Sequence, residues 1–248
     1  MVKRARSVVK LSALAYTAPC MTYQVILFDA DGTLFDYDRA ERMAFTRSCD
    51  HYGVGYDPDV HLPLYRRLNA ALWRELEQGN ITPHALKSER FRQLFEIMEA
   101  DVDPEAFGQT YLEFLGEGDY LLDGAEQVVR RLARTVPLGI VTNGLSRVQR
   151  KRFSTTPIAD CFRTIVISDE IGSKKPDPRI FEIALHAFPD APRRSVLMVG
   201  DSLTSDIAGG AAFGIDTCWY NPDGVRNESE HTPTHQIRTL AELETLLL

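Results

Sequence analysis

Five short runs of apolar, β-branched and aromatic residues punctuate the chain, at residues 24–28, 138–142, 164–168, 196–200 and 216–220. None alternates polar with apolar positions, the pattern expected of strands buried on both faces of a parallel sheet. Segments with helical periodicity fall between and after them, at residues 124–134, 177–187, 204–213 and 240–248. This alternation predicts an α/β fold, a doubly wound (Rossmann-like) parallel sheet with helices on both faces.

Between the first strand and the helix at 124 the pattern changes. Residues 59–78, 83–99 and 104–115 carry helical periodicity and no convincing strand. A stretch of this length is too long for a loop, so the sequence predicts a small helical domain over 37–121, inserted into a core made of 22–36 and 122–248. Residues 220–234, rich in Asn, Pro, Gly, Glu and Ser, read as a surface loop leading to the last helix. Residues 1–21 begin with Lys3, Arg4, Arg6 and Lys10 and no acid, but the apolar stretch that follows is broken by Ser12, Tyr16 and Thr17. The expectation there is a disordered extension, or an upstream start with Met21 as the working start, rather than a targeting peptide.

The 248 residues are 44% apolar, enough for one sizeable core and a smaller appended domain. A net charge of -7 supplies no basic field for a nucleic-acid polymer. Cys20, Cys49, Cys161 and Cys218 are far apart, with no histidine at zinc-ligand spacing, so neither a disulfide framework nor a structural metal knuckle is expected and a reducing, cytoplasmic location fits. No apolar run approaches the roughly 20 residues needed to span a bilayer. Oligomeric state is not legible.

Ligands of open α/β sheets bind at the carboxyl ends of the strands, so the residues that follow each strand are informative. The first strand runs into Asp29 and Asp31, the second into Thr142-Asn143-Gly144, and the fourth into Gly200-Asp201 with Asp206 close behind; Lys174-Lys175-Pro176 lies between the third and fourth. Carboxylates gathered on one edge repel one another unless a cation sits among them, and oxygen-only ligation points to a hard divalent ion, ordinarily Mg2+. Such a set supplies a nucleophile, charge neutralisation and an acid–base group, the parts that phosphoryl transfer needs.

Asp29-x-Asp31-Gly32-Thr33-Leu34, Thr142-Asn143-Gly144, Lys175-Pro176 and Gly200-Asp201-x4-Asp206 resemble, in order and over nearly the whole chain, the four motifs of the haloacid-dehalogenase-like superfamily. The resemblance implies that Asp29 is the nucleophile and a metal ligand. It implies that Asp31 lends its carbonyl to the metal and its side chain to acid–base work. Thr142 and the backbone at Asn143 would hold the phosphoryl group, Lys175 would offset charge, Asp201 would bind Mg2+, and Asp206 would hold Asp201 or a metal-bound water. Lys175 rather than Lys174 is expected to serve, because the family's lysine directly precedes proline. Taken singly, each of these residues reads as a cap, a turn or a solvated charge; their joint order carries the functional reading. Asp31 further argues for a phosphatase or phosphomutase over a dehalogenase, since an ester oxygen leaves better with a proton and a halide needs none.

The helical insertion lies where this superfamily places its substrate-selecting cap. The stretch from Asn69 through Leu72-Trp73 and Glu77 to Gly79 and Ile81, together with Cys218-Trp219-Tyr220-Asn221, is similar to bacterial pyrimidine 5'-nucleotidases of the YjjG type. That similarity implies a small phosphate ester, a pyrimidine nucleoside 5'-monophosphate, as substrate. Sugar-phosphate or phosphoglycolate phosphatase, a β-phosphoglucomutase-like mutase activated by a bisphosphate, and a non-enzymatic binding module are the alternatives; the intact acids and lysine count against the last. Trp73 could form part of a wall against the base, and Arg66, Arg67, Arg74, Arg90 and Arg92 could reach a substrate, but an aromatic on a helix of a small domain is more often core and such arginines are normally solvated. None of the histidines, at 51, 61, 84, 186, 231 and 235, is expected to act in catalysis.

Overall fold

A computed structural model describes residues 23–247; the expectation for residues 1–21 lies outside them. Six strands form one fully parallel sheet: β1 (Val25–Phe28), β2 (Leu138–Thr142), β3 (Phe162–Ile167), β4 (Val196–Gly200), β5 (Asp216–Tyr220) and β6 (His235–Ile237), in the order β3-β2-β1-β4-β5-β6. The sheet is the predicted doubly wound one. Its sixth strand is not predicted: residues 235–237, between the expected loop and the last helix, lie beside β5. Three residues at an edge carry too little pattern for a sequence to announce them.

The side chains of β1 alternate across the sheet, as strand geometry requires. Ile26 and Phe28 enter one core with Leu138, Ile140, Leu197 and Val199, while Val25 and Leu27 enter a second core on the other face with Val141, Val196 and Met198. The helices α5 (Ala125–Leu132) and α10 (Glu242–Leu247) cover the first face, and α8 (Pro178–Leu185) and α9 (Ala208–Phe213) the second. Two further helices complete this part of the chain, α6 (Ser146–Thr155) and the single turn α7 (Ser168–Ile171).

Residues 37–116 form four helices, α1 (Tyr37–Tyr52), α2 (Pro58–Glu77), α3 (Pro83–Met98) and α4 (Pro104–Gly116), around an aromatic cluster of their own that includes Phe45, Tyr65, Phe91, Phe107 and Tyr111. Three of the four begin in the same way. Asp57, Thr82 and Asp103 each accept a backbone N–H of the first turn, and a proline occupies the next position. Proline there sacrifices an N–H that has no helical partner, while the capping oxygen satisfies another. Val148 of α6 reaches into the aromatic cluster, so α6 joins the four-helix unit to the sheet.

Candidate active site

The strand order reverses between β1 and β4, and the residues that leave these two strands meet there. Oxygens of Asp29, Asp201 and Asp206 lie within 4.8 Å of one another. Lys175, buried, donates to Asp29 Oδ1 and lies 2.7 Å from Asp206 Oδ1. Asp206 is fully buried, and its other oxygen accepts from the Ser202 N–H at 2.9 Å. Thr33 donates to Asp201 at 3.2 Å, and the Trp219 indole donates to the Asp201 carbonyl at 2.8 Å.

Local backbone makes this crowding feasible. A side chain at Gly200 would place Cβ 2.2 Å from Asp206 Oδ2, and one at Gly32 would place it 2.8 Å from Asp201 Oδ2 at a φ of +82°. Both close approaches exclude any larger residue. The predicted helix over 204–213 starts instead as a wide π-helical turn, Leu203–Ile207, before α9. In that turn Asp206 closes back on Ser202 and faces Lys175, a local departure of the kind common at functional sites.

Electrostatics follow from burial. Loss of solvent, with Asp206 and Asp201 adding repulsion, pushes the Asp29 carboxyl well above its usual range against the pull of Lys175. Burial and then Asp206 push Asp201 up to about 6. Burial works against the Lys175 ammonium, yet Asp206 and Asp29 outweigh it and hold its pKa above that of an ordinary lysine. With all four groups ionised the set bears two units of negative charge. Hard oxygen donors carrying that excess suit a divalent cation such as Mg2+.

The other predicted residues take distinct places. Thr142 is buried and its hydroxyl accepts the Gly144 N–H at 3.2 Å. The Asn143 side chain is spent on the backbone of Lys175, donating to its carbonyl at 2.9 Å and accepting its N–H at 2.8 Å. That clamp leaves the Asn143 main chain for other contacts and fixes the lysine's approach. Lys174 does not line the cavity. The Asp31 side chain is not one of the three gathered acids and is held by Gln149 and Arg152, two residues not singled out in the sequence.

A cavity of about 820 Å3 opens over the acids. It is lined by Asp29, Asp31, Thr142, Asn143, Lys175 and Asp201 at the strand ends, by Tyr37, Glu41, Arg66, Asn69 and Trp73 from α1 and α2, and by Trp219 to Asp223. Three expectations about the helical unit change. Trp73 is half-buried against the cavity rather than in the aromatic core. Arg66 lines the cavity, its guanidinium on Glu41 at 2.6 Å and Asp38 at 2.9 Å. Arg90 is buried among Tyr65, Phe91 and Tyr111 and donates to Asn69 at 2.9 Å. Arg67, Arg74 and Arg92 are exposed as expected, and no histidine lines the cavity.

Among the described residues no helix is long and apolar enough to cross a membrane. A family model described as haloacid dehalogenase-like hydrolase matches residues 23–214. Pyrimidine 5'-nucleotidase PynA of Streptococcus pneumoniae is 34% identical over 224 residues, 90% of this chain and 94% of that protein. Pyrimidine 5'-nucleotidase YjjG of Escherichia coli is 34% identical over 227 residues, 92% of this chain and 99% of that protein. The crystal structure of the HAD-hydrolase YfnB from Bacillus subtilis, bound to magnesium, superposes with a TM-score of 0.85 at 36% identity, covering 91% of this chain and 98% of that one.

Proposed function

The chain belongs to the haloacid dehalogenase-like hydrolases and is a phosphoric monoester hydrolase, and from that premise we propose that it is a Mg2+-dependent nucleotidase acting on pyrimidine nucleoside 5'-monophosphates. The observation that carries the substrate is the lining of the cavity: the acids and Lys175 from the sheet edge, and Trp73, Asn69 and Tyr37 from α1 and α2. Its volume of about 820 Å3 falls in the range of about 300–1,000 Å3 usual for small-molecule sites. A phosphate at the acids leaves the sugar and base facing α1 and α2, and a half-buried indole offers a flat apolar surface to one ring.

In this reading Lys175 takes one oxygen of Asp29 and leaves Oδ2 to attack phosphorus. The Oδ2–P bond forms as the bond from phosphorus to the leaving oxygen breaks, and Asp31 gives that oxygen its proton. Asp31 then takes a proton from the water that cleaves the aspartyl phosphate, which returns Asp29 as a carboxylate. Thr142 and the main chain at Asn143 receive the phosphoryl oxygens. Asp29, Asp201 and the carbonyl of Asp31 would hold Mg2+, with Asp206 behind them; the ion supplies charge neutralisation for the phosphoryl group.

The test is a kcat/KM comparison with Mg2+ across dUMP, dTMP, purine nucleotides, sugar phosphates and phosphoglycolate. Pyrimidine nucleotides are expected to lead. A sugar phosphate or phosphoglycolate exceeding every nucleotide by roughly tenfold, more than a missing pocket contact accounts for, would remove the nucleotidase reading.

A further inference from the structure

Asp31 is gripped from behind by two fully buried residues of one helix. Gln149 and Arg152 stand three apart on α6, and both have no solvent exposure. Gln149 Nε2 donates to Asp31 Oδ2 at 2.6 Å, and Arg152 Nη1 donates to Oδ1. The guanidinium lies over the Phe35 ring, 5.0 Å from its centroid, and its Nε and Nη2 have no partner among the described residues. Burying an arginine for a single carboxylate is a poor route to stability, since an apolar side chain of like volume does as well or better. A role in holding geometry explains it.

Gly144 supports the same reading independently. A Cβ there would fall 2.4 Å from Gln149 Nε2 and 2.7 Å from its Cγ. Gln149 therefore reaches Asp31 across a position that has no side chain. The grip still leaves Asp31 usable: its side chain keeps 25% of its surface open, it lines the cavity, and each carboxylate oxygen has a second lone pair to offer.

We infer that Gln149 and Arg152 are positioning residues that fix the direction of the Asp31 carboxylate, so that it faces the leaving oxygen without a search among rotamers. This rests on the reading of Asp31 as the acid in the proposed reaction. The α6 helix that carries the pair also sends Val148 into the aromatic core of the four-helix unit, so the aim of Asp31 is tied to the seating of that unit on the sheet.

The experiment measures kcat/KM, which reports the reaction up to loss of the leaving group, across monoesters from p-nitrophenyl phosphate through phenyl phosphate to an alkyl ester. Proteins compared are wild type, Asp31→Asn, Arg152→Met, Arg152→Lys, Gln149→Leu and Gly144→Ala. A misaimed acid costs most where the leaving oxygen needs its proton. Arg152→Met and Gln149→Leu are therefore expected to lower kcat/KM on the order of 100-fold for the alkyl ester, within the range ascribed to a positioned acid, and less than about fivefold for p-nitrophenyl phosphate. Arg152→Lys should recover part of the loss, and Gly144→Ala should reproduce the Gln149→Leu profile. If Arg152→Met does not fold, as melting will show, Gln149→Leu and Gly144→Ala decide. Equal losses on all esters, or none, in those variants while Asp31→Asn stays selective would overturn the inference alone; an unselective Asp31→Asn would overturn the acid assignment and the inference together.

Discussion

Removing the Lys175 ammonium tests the electrostatics of the site most directly. The lysine is buried between Asp29 and Asp206, with its Nζ 2.7 Å from Asp206 Oδ1. Lys175→Met keeps the length and apolar stem of the side chain but strands two buried carboxylates with no counter-charge. Breaking a buried pair by removing one partner costs about 3–5 kcal/mol. For a domain of this size each kcal/mol moves Tm by about 2–4 °C, so a fall of about 6–20 °C is expected in metal-free buffer. Adding Asp206→Asn should return part of it, because the amide can still accept the Ser202 N–H and removes one of the stranded charges; a coupling of about 1–3 kcal/mol is expected for groups in contact. Mg2+ should raise the Tm of Lys175→Met more than that of wild type, since the cation then meets three acids with no ammonium to repel it and binds more tightly. The assay is thermal or urea denaturation of wild type, both single variants and the double variant, with chelator and with Mg2+. A Lys175→Met protein as stable as wild type, or effects of the two substitutions that simply add, would refute the account of a shared buried cation.

Asp29→Asn keeps the shape of the side chain but is no nucleophile, so turnover should fall about a thousandfold or more with the fold retained; more than about a tenth of wild-type activity would exclude covalent catalysis at this residue, and beryllofluoride with Mg2+ should inhibit wild type. The affinity for Mg2+ should depend on pH through Asp201. Its carboxyl is pushed up to about 6 and that of Asp29 is raised as well, so the ion must displace protons as the pH drops, and below about 6 affinity falls at least about tenfold per unit. Calorimetry in buffers of different ionisation enthalpy checks this, and an affinity constant from pH about 5 to 7 would contradict it. Trp73→Ala should change the preference among nucleotides while lowering Tm little, because the indole is half-buried at the cavity. A Tm loss of the size of a core deletion, about 3–5 kcal/mol, with unchanged preference would return Trp73 to the core.

Much of this molecule was legible in one dimension because its controlling physics is local. A strand buried on both faces must be nearly continuously apolar, so β1, β2 and β4 declare themselves, and the parallel order places whatever follows them on one edge. Asp29, Asp201, Asp206 and Lys175 follow strands or precede a helix at spacings that leave them little choice but to meet there. Proline after Asp57, Thr82 and Asp103 likewise marks where helices begin, through donors that must be satisfied within one turn.

What the sequence left open depends on which of two environments a helix face meets. Trp73 and Arg90 sit on amphipathic helices where an aromatic reads as core and an arginine as solvated, and both assignments reverse: the indole faces the cavity and the guanidinium is enclosed by Tyr65, Phe91 and Tyr111. Periodicity says that a face is covered and never by what. Gln149 and Arg152 are 118 and 121 positions from Asp31, and their spacing on α6 looks like that of any polar pair until the helix packs on α4 and meets the loop that follows the first strand. The strand over 235–237 exists because β5 offers it an unpaired edge, and the wide turn at 203–207 exists because Asp206 is drawn toward Lys175 and Ser202. Each of these is settled by a partner distant in the chain, which only the packed structure brings within reach.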